Sequence, residues 1–192
     1  MVNSSVLYSI QQFMNIRLRR ITLRDAAQLS SMAQTTFYDT FTGTCTEADM
    51  QDFLDTYFNI DQTRKELAEP DDLFYFAEVD GVPVGYIRMM EDYRSFELME
   101  KWKALELKRI YVLKEFLGRK VAQAMMDFVL QYATEHGYEV VWLGVWEFNY
   151  RAQKFYSKYG FEDSGHTHPF PIGQTPQTDK WLWKFLEKEK SV

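Results

Sequence analysis

The sequence predicts an α/β fold, and three observations carry that prediction. Residues 107–161 read strand (LKRIYVL), glycine turn (KEFLGRK), helix (VAQAMMDFVLQYATEHG), strand (VVWLGVW) and a second helix within NYRAQKFYSKYGF. An Asp80-Gly81 pair separates two strand-like runs, which is a strong hairpin signal. Residues 22–67 carry helical rather than alternating periodicity. At 192 residues, 46% hydrophobic and 17% aromatic, the chain is long and apolar enough to bury a real core. The expected organisation is an N-terminal extension over residues 1–15 and one domain over residues 16–192.

Taken in order, residues 16–21 (IRLRRI) alternate apolar and basic side chains, as a strand does. Thr22 and Asp25 form a short-armed capping box that starts a helix with Ala26, Leu29, Met32, Ala33 and Phe37 on one face. Thr46 opens a second helical region that buries Met50, Phe53, Leu54, Tyr57 and Phe58, and a third helical stretch spans residues 62–67, ending before Pro70. Residues 73–79 and 84–90 are the hairpin strands, with Val82-Pro83 expected to lengthen the turn. Residues 93–103 are charged and helix-compatible. A strand over residues 105–113 precedes the helix striped by Val121, Met125, Phe128, Val129, Tyr132 and Ala133, which His136-Gly137 ends. Residues 140–146 are apolar nearly throughout, as in a strand covered on both faces. Two more strands fall near residues 163–168 and 179–186. Trp181, Trp183 and Phe185 on the last would suit a homodimer edge.

Composition narrows the function classes. A net charge of −6 disfavours nonspecific nucleic-acid binding and attracts cations. No apolar run approaches the ~18 residues of a membrane span, and the N-terminus is a poor signal peptide. A single cysteine, Cys45, forbids an intrachain disulfide and fits a cytoplasmic location. It reads as an inert small hydrophobe rather than a nucleophile. His166 and His168 lack the partners of a metal set, so no metal is expected.

The chemistry concentrates in the turn and in the helix after residue 149. Gly118 permits close backbone approach, and the amides that follow begin a helix, a cradle for anions beside Arg119 and Lys120. The plainer reading is a strand–helix turn with a solvated basic pair. With Asn149-x-x-Ala152-x-x-Phe155-Tyr156-x-x-x-Gly160-Phe161 added, the chain resembles the GNAT family of acetyl-CoA-dependent N-acetyltransferases over residues 16–185. The spelling RIYVLKEFLGRK, WLGVWEFNYRAQKFYSKYGF and Pro176-Gln177-Thr178-Asp179 is similar to its PaiA-type branch, which includes polyamine N-acetyltransferases.

That resemblance implies a mixed, mostly antiparallel sheet flanked by helices. The strands at residues 105–113 and 140–146 would form a parallel pair, splayed to admit acetyl-CoA. The family's pyrophosphate motif falls on Leu117, Gly118, Arg119, Lys120, Val121 and Ala122, of which only Ala122 matches a motif position. Leu117 replaces Gln or Arg, and Lys120 replaces the central glycine. The backbone of Ile110, Tyr111 and Val112 would pair with the pantetheine arm. Asn149 would contact the same arm, although it also reads as a helix N-cap. Phe155 would flank the cofactor, and Lys158, with Lys154, would meet its 3′-phosphate. Tyr156 matches the tyrosine that protonates the departing thiolate; with phenol near about 10 and thiol near about 8.5 it would be a weak acid. Glu106 stands where several family members place a general base, although it could instead pair with Lys108 or Arg109. Glu91 and Asp92 are further acidic candidates. The implied reaction is acetyl transfer to a small primary amine, a polyamine suspected. Two alternatives keep the cofactor site: a peptide or protein acceptor, and a module that binds acyl-CoA without turnover.

Overall fold

A computed structural model describes residues 15–91 and 96–187. The predicted extension and Asp92 therefore fall almost wholly outside the described residues. In chain order the elements are β1 (Ile16–Arg20), α1 (Ala26–Phe41), α2 (Glu47–Tyr57), α3 (Ile60–Ala68), β2 (Leu73–Val79), β3 (Val82–Met90), β4 (Ala104–Val112), α4 (Val121–Glu135), β5 (Val140–Trp146), α5 (Tyr150–Lys158), β6 (Glu162–Pro169) and β7 (Thr178–Phe185). The described strands form one sheet in the order β1-β2-β3-β4-β5-β7-β6. Every neighbouring pair is antiparallel except β4 and β5.

Side-chain caps set the helix starts. Asp25 accepts from the Thr22 amide at 2.8 Å, which launches the turn into α1. The Thr46 hydroxyl accepts from the Asp49 amide at 3.1 Å to start α2. Asn59 accepts from the Gln62 amide at 2.8 Å, so α3 begins at Ile60, two residues before its periodicity suggests.

The sheet divides the core in two. On one face Val121, Met125 and Val129 of α4 pack against Leu105, Leu143 and Val145. On the other, Phe37 and Phe53 of α1 and α2 pack against Phe74 and Phe76. A third cluster, Phe96, Met99, Trp142 and Trp181, lies near the N-terminal end of β4.

Three expectations are corrected. Val82-Pro83 does not lengthen the hairpin. Asp80 (φ 51°) and Gly81 (φ 83°) make a two-residue turn, and Val82 already pairs with Val79. The irregularity moves into the ladder as a register shift at Ala77/Glu78. The helix-compatible stretch at residues 93–103 yields only a short 3-10 turn, Glu97–Lys101, among its described residues. The C-terminal strand is no dimer edge. β7 lies between β5 and β6, with Trp181 buried, and the edge falls to the polar, mostly exposed β6.

The features that make a site lie at the middle of the sheet. β3 and β4 pair as Met89↔Leu107 and then Arg88↔Arg109, so the register passes over Lys108 as a bulge. β4 and β5 pair only as Ala104↔Val140, Leu105↔Val141 and Glu106↔Trp142. Beyond Glu106 the two strands diverge.

Candidate functional site

The divergence of β4 and β5 opens into a cleft of about 1430 Å³. Of the residues predicted for the site, Arg119 and Glu91 do not line it, Asp92 lies outside the described residues, and the others all do. The Arg119 guanidinium is turned over the Phe116 ring, 5.3 Å from its centroid.

At one end is the turn into α4. Gly118 has φ 78° and Lys120, the residue capping α4, has φ 64°. A left-handed backbone costs a side-chain-bearing residue ~1–2 kcal/mol, so Lys120 occupies a position that glycine would hold without strain. Gly118, Lys120, Val121 and Ala122 line the cleft, and the first amides of a helix have no intrahelical acceptor. Leu117 stands half-exposed at the rim. The left-handed turn is therefore present although the motif's side chains are largely replaced.

α5 forms the neighbouring wall. Asn149 accepts from the Ala152 amide at 3.1 Å, so its N-cap reading holds. Gln153 Nε2 donates to the carbonyls of Trp146 (3.2 Å) and Glu147 (2.8 Å), fixing the helix to the end of β5. Lys154 and Lys158 are exposed at the cleft's edge, and the Phe155 ring lies 5.1 Å from that of Tyr159. Tyr156 is buried between the α4 face of the core and the cleft. Burial, with the carboxylate of Asp179 adding to it, pushes its phenol above the ordinary tyrosine range. This phenol is therefore a weaker acid than an ordinary tyrosine and stays protonated through neutral pH.

The backbone of residues 110–112 borders the cleft on the β4 side. Ile110 and Val112 send their side chains to the α4 core, while the Tyr111 ring stacks at 5.7 Å on Tyr86. Glu106 is 1% exposed, and its Oε1 accepts from Lys108 Nζ at 3.0 Å across the bulge. The predicted pairing alternative is thus realised with Lys108. Arg109 turns to Glu66 instead. Glu91 receives the Tyr138 hydroxyl at 2.6 Å.

Sequence reasoning missed Asp179, at the start of β7. It faces Trp146 on β5 and His168 on β6, and it lines the cleft. Burial raises its carboxyl to about 7, with Lys108 pulling the other way. Gly144 makes room for it: a Cβ there would lie 2.7 Å from Trp181 Cζ3 and 3.0 Å from Asp179 Oδ2. A signal was available, since alternation along β7 puts Asp179 on the same face as Trp181 and Trp183, an acid on an aromatic face.

Opposite the cradle the cleft is aromatic, walled by Phe37, Phe41, Phe53, Tyr57, Trp146 and Phe170. Asp49 of α2 latches the 170–177 loop over this half, accepting from the Gln174 amide and the Thr175 hydroxyl, each at 2.9 Å. Cys45 lies outside the cleft lining, and burial raises its thiol, which works against a nucleophilic role. His168 stacks on Trp181 at 5.0 Å and His166 packs on Phe96 at 5.4 Å.

The model of the Acetyltransferase (GNAT) family matches residues 32–161, which include the cradle and α5. The chain belongs to the GNAT family of acetyltransferases. As a GNAT N-acetyltransferase it uses acetyl-CoA as acyl donor. An uncharacterized N-acetyltransferase in the pepI 3′ region of Lactobacillus delbrueckii subsp. lactis is 33% identical over 171 residues, covering 89% of this chain and 98% of that one. The fold is shared with the PaiA N-acetyltransferase of Thermoplasma acidophilum, solved in complex with coenzyme A (TM-score 0.72, 19% identity, 90% of this chain and 100% of that one). It is also shared with the spermidine/spermine N-acetyltransferase SpeG of Vibrio cholerae (TM-score 0.63, 18% identity, 88% and 92%). Among the described residues no helix is long and apolar enough to cross a membrane.

Proposed function

We propose that this GNAT domain, read as residues 16–192, acetylates the primary amine of a small cationic acceptor of the polyamine class in the cytoplasm. The observation carrying the proposal is the cleft between β4 and β5, which has a backbone cradle at one end and carboxylates on aromatic walls at the other. The net charge of −6 and the acidic side chains Asp39, Glu106 and Asp179 on the cleft favour a cationic acceptor. The aromatic walls favour an alkyl body between its charges.

The residues present fit the cofactor. The amides of Val121 and Ala122, with Lys120, would hold its pyrophosphate, and Lys158 its 3′-phosphate. Asn149 and Phe155 would flank its arm beside the backbone of Ile110, Tyr111 and Val112. Bound acetyl-CoA supplies an acetyl thioester, already activated toward amines. This chain's residues do the rest. The cleft walls bring both reactants into one orientation, which removes much of the entropic barrier. Backbone dipoles along β4 stabilise charge on the reacting carbonyl. Tyr156, kept protonated by burial, holds a proton at Oη for the leaving sulfur. Glu106 and Lys108 set the charge at the point where the strands part.

A thiol-release assay with acetyl-CoA against polyamines, amino acids, aminoglycosides and peptides tests the reading. Release with spermidine or spermine is expected; release only with peptides would replace the acceptor class. Tyr156→Phe should leave CoA affinity unchanged and lower turnover ~10²-fold or more. Turnover equal to wild type would remove Tyr156 from the proton path.

A further inference from the structure

Two buried or part-buried acidic side chains, Glu106 and Asp179, line the cleft, and they differ in what already holds them. Glu106 gives Oε1 to Lys108. Asp179 Oδ1 is buried and, among the described residues, has no hydrogen-bond partner. A buried carboxylate oxygen without a donor is costly, and among the described residues no hydrogen bond offsets that cost at Oδ1. Gly144, by leaving out a side chain, keeps the space this carboxylate occupies. The same carboxylate acts electrostatically on the Tyr156 phenol across the cleft.

We propose that Asp179 receives the ammonium group of the acceptor and takes its proton, acting as the catalytic base. This rests on the reading of the acceptor as a primary amine. One N–H bond of the ammonium breaks and an O–H bond forms on the Asp179 carboxylate. The electron pair of the broken bond stays on nitrogen as the lone pair of the neutral amine. An ammonium group would also supply the donors that Asp179 lacks.

The surroundings suit that role. Lys108 and Tyr111 of β4, His168 of β6 and Tyr156 of α5 are the charged and titratable groups facing Asp179. Burial and Lys108 both lower His168, which leaves its imidazole neutral near pH 7. Tyr111 and Tyr156 are both raised and stay neutral. Among the described residues Lys108 is then the single cation facing Asp179, and Glu106 already engages it. With a carboxyl near about 7, Asp179 is a better proton acceptor than an ordinary aspartate.

The test compares wild type, Asp179→Asn, Asp179→Ser and Glu106→Gln, using spermidine and benzylamine as probes. Amine binding is read from tryptophan fluorescence, because Trp146 and Trp181 flank Asp179. Both Asp179 variants should bind the amines at least ~10-fold more weakly and lose ~10²–10⁴-fold in kcat/KM. CoA affinity should stay at the wild-type value. In wild type, activity should fall as pH drops through about 7; Asp179→Asn should lack that inflection and Glu106→Gln should keep it. A carboxyl whose folded pKa is raised costs stability progressively as pH rises from its unfolded pKa, about 3.9, to the folded one, and the loss is complete above it. Asp179→Asn should therefore melt higher than wild type at about pH 8 and alike at about pH 4, which a merely structural aspartate would not do. Wild-type kcat/KM in Asp179→Asn, an inflection lost in Glu106→Gln instead, or amine affinity indifferent to Asp179 would each overturn the proposal. Failure of the acceptor reading is separate: wild type would then turn over neither amine, and binding of the two probes would still decide Asp179.

Discussion

Gly144 and Lys120 occupy backbone positions where side-chain size and backbone angle decide what the site can be. In Gly144→Ala the new methyl group would press on Trp181 and Asp179. We expect a loss of about 1–3 kcal/mol, read as a lower denaturant midpoint, together with weaker amine binding. An unchanged midpoint would mean that the Trp181 ring yields. Lys120 carries a left-handed backbone where the family motif has glycine, so the backbone angle persists after the spelling has changed. A cradle made of backbone amides would be only half legible, because amides have no letter in a sequence. Tyr156 and Asn149 were legible because fixed spacings on one short helix carry them. Asp179 was not. It comes from a strand 23 positions or so beyond Tyr156, outside the matched residues 32–161, and only the pairing of β7 beside β5 brings it to the cleft.

The join between α3, β3 and β4 rests on charge. Arg109 donates to both carboxylate oxygens of Glu66 (2.7 and 3.0 Å), Arg88 pairs with the same carboxylate at 2.8 Å, and Arg88 continues to Asp72 at 2.6 Å. Burial alone would raise the Glu66 carboxyl, but Arg109 and Arg88 outweigh it and the net shift is downward. A carboxyl lowered by folding contributes stability that is present above its unfolded pKa of about 4.3 and is lost as pH falls through the folded value. Glu66→Gln should therefore cost about 3 kcal/mol at neutral pH, by leaving two buried guanidinium groups short of a charge. It should also flatten the decline of stability below about pH 4. Parallel urea titrations at the two pH values check both; equal losses at each would remove Glu66 from the acid response. The starts of α1 and α2 followed from caps, because Thr22 and Thr46 act locally, whereas the Asn59 cap of α3 was not read and its start fell two residues late. The register shift at Ala77/Glu78 did not, because it depends on how β2 meets two neighbours at once.

Across the molecule, the order of elements along the chain was readable and the order of strands across the sheet was readable only in part. Neighbours β2 and β3 are announced by Asp80-Gly81. The insertion of β7 between β5 and β6 has no local signal, and it turned a supposed aromatic edge into an interior strand. The same arrangement divides the sheet into β1-β2-β3-β4 and β5-β7-β6, joined at one end by three residue pairs. That join is the spine of a book whose two boards are held elsewhere by helices, by side-chain packing such as Phe96 and Met99 on Trp142, and by loop hydrogen bonds. Amide hydrogen exchange should register it: β4 amides facing β5 beyond Glu106 should exchange faster than those of β2 or β3. Addition of CoA should slow exchange at residues 107–112 more than anywhere on β1 or β6. Uniform protection of β4 before and after CoA would mean that the two boards move as one.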